Sequence, residues 1–126
     1  MDLQNSRVYQ KSLDLLTEAI RWSRSMPAGH GWLADQIRRA SGSIPLNIAE
    51  GLGRPSPGDR RRFFHIAIGS TYEVAACLEV GFRLGTLSED RFRKLWDDCD
   101  HITRMLGKLL HGPGQCPTRP SGPGRS

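Results

Sequence analysis

Apolar side chains recur along this chain at the three-and-four spacing of α-helices, and they do so in four separate blocks. In the first, Val8, Leu13, Leu15, Leu16, Ala19 and Ile20 fall on one broad face, with Lys11, Asp14, Glu18 and Arg21 opposite. Asn5 or Ser6 supplies an N-cap, and Pro27, Gly29 and Gly31 in the connection PAGHGW end this helix near Met26. The second block runs from Trp32 or Leu33 to Glu50 on Ile37, Ala40, Ile44 and Ile48, with Gly51 expected as a left-handed C-terminal cap. The loop LGRPSPGD follows, and Ser56 or Asp59 starts the third helix. That helix spans about Gly58 to Leu84, carrying Phe63, Phe64, Ala67, Ser70 or Thr71, Val74, Cys77, Leu78 and Gly81 in phase. At roughly 1.5 Å per residue it is about 40 Å long, and Gly85 closes it. Ser88, followed by Glu89 and Asp90, caps the fourth helix, which Phe92, Leu95, Trp96, Cys99, Ile102, Leu106 and Leu109 carry to Gly112 and Pro113.

One residue contradicts its block. Pro45 lacks an amide hydrogen, and its ring collides with the carbonyl of Ser41, at a cost of about 3 kcal/mol in a regular helix. Ile44 and Ile48 nevertheless keep the stripe in phase across it, which favours a kink over a break, with Ser41 or Ser43 able to satisfy freed backbone groups. No bounded run alternates with period two, so no strand is expected. Four helices with short connections predict an all-α, antiparallel up-down four-helix bundle over residues 1–111, its second helix kinked at Pro45. Residues 112–126, rich in glycine, proline and serine, have almost nothing to bury and are expected to be disordered.

Composition narrows the functional classes. A chain of 126 residues is one domain, and its net charge of +5 suits a polyanionic partner, although Arg119 and Arg125 place part of that charge in the tail. Three cysteines without a CxxC pair point to reduced thiols in the cytoplasm, and Cys77 and Cys99 read as small buried residues. MDLQNSRVYQ lacks the pattern of a secretory signal, and no apolar run approaches the ~18 residues of a membrane span. His65, His101 and His111 have no metal-ligand spacing; Asp97 and His101 share a face one turn apart, as ordinary exposed helix pairs do. There is no GxSxG, and GLGRPSPG lacks the lysine and preceding strand of a phosphate-binding loop. Ser70 and Cys77 fit packing better than nucleophilic chemistry. No catalytic residue, metal or cofactor is therefore expected.

The run QIRRA, SIP, NIAEG and GR between Gln36 and Arg54, followed by FFHIAIGS and LGTLSED, resembles the bacterial four-helix bundle family first recognised as proteins encoded in intervening sequences of large-subunit (23S) ribosomal RNA genes. It is similar, more distantly, to the accessory variability determinant of diversity-generating retroelements. The likeness extends from about Val8 to Leu110. It implies a homopentameric ring of bundles, basic in character and without an established enzymatic activity, whose partners are RNA or DNA or a nucleic-acid enzyme such as a reverse transcriptase. The family's motif falls on Gln36, Arg38, Arg39, Ala40, Ser43, Pro45, Asn47, Glu50, Gly51 and Arg54, and the chain departs from it at Gly42 and in the GHGW loop.

Six arginines are the candidate nucleic-acid ligands. Arg38 and Arg39 present rigid donor forks suited to phosphate, but acids or Asn47 and Glu50 in the same helix can hold them in a polar network instead. Arg54, Arg60, Arg61 and Arg62 are the stronger set, because positive charge at a helix N-terminus opposes the dipole unless an anion answers it. Phe63 and Phe64 follow directly, yet both fit core or subunit contacts better than base stacking. The competing expectation is a protein-interaction scaffold in which the arginines serve subunit contacts.

Overall fold

The computed structural model describes residues 2–111, which form a single 3-10 turn at Leu3–Asn5 and four helices, α1 (Arg7–Ser25), α2 (Gly31–Leu52), α3 (Pro57–Arg83) and α4 (Glu89–His111). Residues 112–126, expected to be disordered, lie outside the described residues. No strand occurs among the described residues. Each helix packs on its neighbours in the chain and α1 closes against α4. Cross-helix contacts run in opposite senses: Ser43 meets Ser70 while Gly51 meets Phe64, and Lys11 meets Asp98 while Glu18 meets Arg91. The architecture is an antiparallel up-down bundle.

Helix starts follow cap chemistry. The Ser6 hydroxyl accepts from the Tyr9 amide at 3.3 Å, Ser56 from Asp59 at 3.4 Å and Ser88 from Arg91 at 3.3 Å. Gly85 ends α3 with φ of +81°, a conformation that disfavours other residues. The expected α2, α3 and α4 stripes line one core: Ile37, Ala40, Ile44 and Ile48 are buried with Phe64, Ala67, Val74, Leu78, Leu95, Cys99, Ile102 and Leu106.

Several expectations change. Gly51 is no left-handed cap: it lies buried inside α2, and a Cβ there would sit 2.6 Å from Phe64 Cε1. Glycine is needed at that point for close helix approach, and α2 runs on to Leu52 before Gly53 follows with φ of −84°. Pro45 is buried within a continuous α2. The serines near it are engaged elsewhere, Ser41 donating to the Ile37 carbonyl at 2.6 Å and Ser43 meeting Ser70 at 2.7 Å. Trp96 and Leu109 are exposed, since α4 buries a narrower stripe than its apolar pattern covers. Lys11 crosses from α1 to Asp98 at 3.2 Å instead of facing solvent.

The largest wholly buried side chain is Trp22, which stands outside the apolar stripe expected for the first helix. Its indole nitrogen donates to the Thr86 carbonyl at 3.0 Å, and its ring fills the space left by Gly81. Trp22 thereby ties α1 to the turn between α3 and α4.

Candidate nucleic-acid interface

The six arginines separate into two groups. Arg39 and Arg54 are fifteen residues apart on α2 and the turn that follows it, about 22 Å along the helix axis. Arg38 and Arg39 also point apart, as successive helical residues must. Arg38 turns toward α1, bonding Asp35 and the Ser23 hydroxyl (3.3 Å). Arg39 donates to Gln36 at 2.6 Å, and Gln36 itself bonds Glu73 of α3. Asn47 donates to the Ser43 carbonyl at 2.8 Å and to its hydroxyl at 3.0 Å, which continues to Ser70. Gln36, Ser43 and Asn47 thus form polar cross-links along α2 and onto α3.

The other four arginines surround the α2–α3 corner. Ser56 caps α3, Pro57 occupies its first turn with preset φ, and Arg60, Arg61 and Arg62 follow in the next turn. Arg60 reaches back and donates through Nε to the Gly51 carbonyl at 3.2 Å, one of the last carbonyls of α2. Arg54 pairs with Glu50 at 2.6 Å, and its guanidinium lies 4.9 Å from the Phe63 ring centre. The Arg62 guanidinium lies 4.4 Å from the same ring. Such cation–π contacts are worth about 0.5–1 kcal/mol each at exposed sites. Phe63 is thus occupied by two cations, while Phe64 is core. Arg61 is exposed and makes no ion pair among the described residues. Among the described residues, Glu50 and Asp59 are the carboxylates that oppose four positive charges here, and the α3 N-terminal amides add to the positive field.

Elsewhere the titratable groups are structural. Asp98, whose side chain is only 12% exposed, holds Lys11 of α1 at 3.2 Å across the α1–α4 seam and Lys94, one turn earlier in α4, at 2.6 Å. The hydrogen bond from Lys94 to Asp98 raises the Lys94 pKa above its ordinary value. Burial, assisted by Glu73 and opposed by Arg39, pushes the Cys77 thiol up to about 11. Burial, with Asp98 and Asp100, pushes Cys99 up to about 12. Thiols so poorly ionised make weak nucleophiles. Asp97 and His101 are exposed on α4, and no group of three or more potential metal ligands exists among the described residues. No helix among them is long and apolar enough to cross a membrane.

Residues 4–108 match the family model described as 23S rRNA-intervening sequence protein. The chain belongs to this family. A crystal structure from Bacteroides thetaiotaomicron VPI-5482, described as a protein with unknown function from the S23 ribosomal protein family, has the same fold. It superposes with a TM-score of 0.77 at 21% identity over 83% of this chain and 99% of that one. No curated protein matches. In this member of the 23S rRNA-intervening sequence family, the motif from Gln36 to Arg54 serves two structural roles: cross-links between α2 and α3, and the corner where α2 ends. Glu50 and Gly51 belong to the second role, Gln36 and Asn47 to the first.

Proposed function

We propose that this protein is a non-enzymatic, cytoplasmic homo-oligomer, a pentameric ring of bundles, that binds nucleic acid or a nucleic-acid-processing partner such as a reverse transcriptase through its basic corners. The observation that carries the reading is the gathering of Arg54, Arg60, Arg61 and Arg62 within one helix–helix corner against two carboxylates. Arg60 and Arg62 are partly pre-ordered by the Gly51 carbonyl and by Phe63, which lowers the entropy lost on meeting a phosphate backbone. Repetition around a ring multiplies a weak patch through effective concentration. With Phe63 occupied, recognition is by charge, so binding is sequence-tolerant and steeply salt-dependent.

Assembly is assigned to the outer face of α2 and α3, where Leu46 is 71% exposed and Ile66 and Trp32 are also open. A bend of α2 at Pro45 would shape that face. Arg38 and Arg39 sit beside it and serve it in preference to the ligand. Their side-chain partners also favour the second reading, an interaction scaffold that binds protein only.

Retention on structured RNA and duplex DNA, measured against salt, tests the proposal. Replacing Arg60, Arg61 and Arg62 together by alanine should lower the salt slope on B-DNA by about 0.9 for each phosphate that an arginine no longer neutralises. Equal, weak retention of both proteins at low salt sinks the nucleic-acid reading. A monomer mass from light scattering at micromolar concentration removes the ring.

A further inference from the structure

Unanswered positive charge collects at one end of the bundle. Among the described residues seven lysines and arginines make no ion pair, and five of these stand where α1 starts, α2 turns into α3 and α4 finishes. They are Arg7, Lys108 and the corner's Arg60, Arg61 and Arg62. Asp2 and Asp59 are the described acids at this end that likewise make no ion pair. The far end is the reverse: Arg21, Arg38, Arg83, Arg91 and Arg93 each face a carboxylate, and Arg24 is the cation left over there. The seventh, Arg39, lies inside α2 and donates to Gln36.

Arg7 and Lys108 have no structural duty that accounts for them. Both are exposed, and neither side chain makes a hydrogen bond among the described residues. Arg7 opens α1, whose first turn holds no acid, so its charge works against the helix dipole. Lys108 lies in the last turn of α4, where the dipole favours a cation by only about 0.3–1 kcal/mol.

Their spacing bears on what they meet. α1 packs on α2 and α4, and α3 packs on the same two, so α1 and α3 lie on a diagonal. With neighbouring axes ~8–10 Å apart, that diagonal is about 11–14 Å. Helices about 10–12 Å across make the whole end roughly 20 Å wide. Exposed cations spread over α1, α3 and α4 on this scale do not converge on one compact anion. A nucleic-acid duplex carries one charge per ~1.7 Å of axis, about twelve over 20 Å, so each cation can find its own phosphate.

We propose that Arg7 and Lys108 extend the arginine corner into one binding face covering this end of the bundle, and that its ligand is a duplex laid across the face, not a nucleotide or phosphate held at the corner. The inference rests on the nucleic-acid reading above.

Salt-dependent binding of the full chain to a duplex of about 30 base pairs tests it. Arg7→Ala/Lys108→Ala should lower the slope of log K against log salt by about 1.8 and weaken binding tenfold or more at about 0.1 M salt. Arg24→Ala, which removes the same kind of charge from the far end, should leave the slope unchanged. Inorganic pyrophosphate at constant ionic strength should not displace the duplex. A wild-type slope in Arg7→Ala/Lys108→Ala, beside a lowered one in the Arg60, Arg61 and Arg62 triple variant, overturns the end face and leaves the corner standing. No duplex binding by the wild type overturns both. An equal fall in Arg24→Ala overturns the end face because net charge then sets the affinity, and displacement by pyrophosphate overturns it in favour of a compact anion.

Discussion

Replacing Gly81 by alanine puts a methyl group where Trp22 already is. A Cβ at this position lies 2.0 Å from Trp22 Cζ2, 2.6 Å from Cη2 and 3.1 Å from Thr86 Oγ1. Ordinary contact begins near 3.4 Å, so a rigid, fully buried indole must move by more than an ångström. It is not free to do so, being held by its 3.0 Å bond to the Thr86 carbonyl. Overpacking costs about 1–3 kcal/mol, and losing the indole hydrogen bond about 1 more. Alanine returns up to ~1 kcal/mol of helix propensity. The net loss is about 2 kcal/mol, or a fall in Tm of roughly 8–16 °C at 4–8 °C per kcal/mol. Gly69→Ala is the control in the same helix: nothing lies within 4 Å of its Cβ position, so it should stabilise by about 0.5–1 kcal/mol. Urea unfolding of the two variants, with Trp22→Phe/Gly81→Ala as the coupled pair, measures this. Phenylalanine lacks the colliding atoms, so Gly81→Ala should cost less in that background. If Gly81→Ala matches Gly69→Ala in stability, the interlock between α1 and α3 is wrong.

Other perturbations follow from the same packing. Gly51→Ala meets Phe64 at 2.6 Å and the Arg60 carbonyl oxygen at 3.3 Å, so it should destabilise by about 1–2 kcal/mol in urea melts; a left-handed cap would instead have shown positive φ. Asp98→Asn weakens one charged hydrogen bond across the α1–α4 seam, from Lys11, and one within α4, from Lys94, and should cost about 2 kcal/mol, with faster amide exchange in α1 than in α2; unchanged exchange would argue against the seam's dependence on Asp98. Stability should fall as pH rises above about 9. Unfolded thiols ionise near 9.0 while folded Cys77 and Cys99 hold their protons to about 11 and 12, and Lys94 likewise keeps its proton above 10.5, so base favours the unfolded chain. Urea midpoints at pH 7 and pH 10.5 check this, and equal values would contradict the burial of both thiols.

The fold was legible because burial in a bundle repeats at helical spacing: Ile37, Ala40, Ile44 and Ile48 declare one side of α2 without knowledge of any partner. Pairings between distant residues were not. Gly51 displays only permissiveness in sequence, and whether that serves a positive φ or the approach of Phe64 depends on a residue in another helix. Trp22 has meaning only beside Gly81, and Lys11 only beside Asp98. Among the arginines, neighbours in sequence separated in space: Arg38 faces α1 while Arg39 joins Gln36, whereas Arg54 and Arg62, eight positions apart, meet at Phe63. The phase of the apolar pattern carries the fold, and the polar site depends on how two helices are set against each other.

The α1–α4 seam also sets a schedule for synthesis. Lys11 waits for Asp98, 87 residues later, which at ~5–20 residues per second is about 4–17 s of translation. The α2–α3 hairpin, closed by Ser43 and Ser70 only 27 residues apart, is complete well before then. A nascent chain therefore holds three helices with one apolar side uncovered until α4 leaves the ribosome. Pausing after about residue 85 would prolong that exposure and give α1 time to pair with another nascent chain.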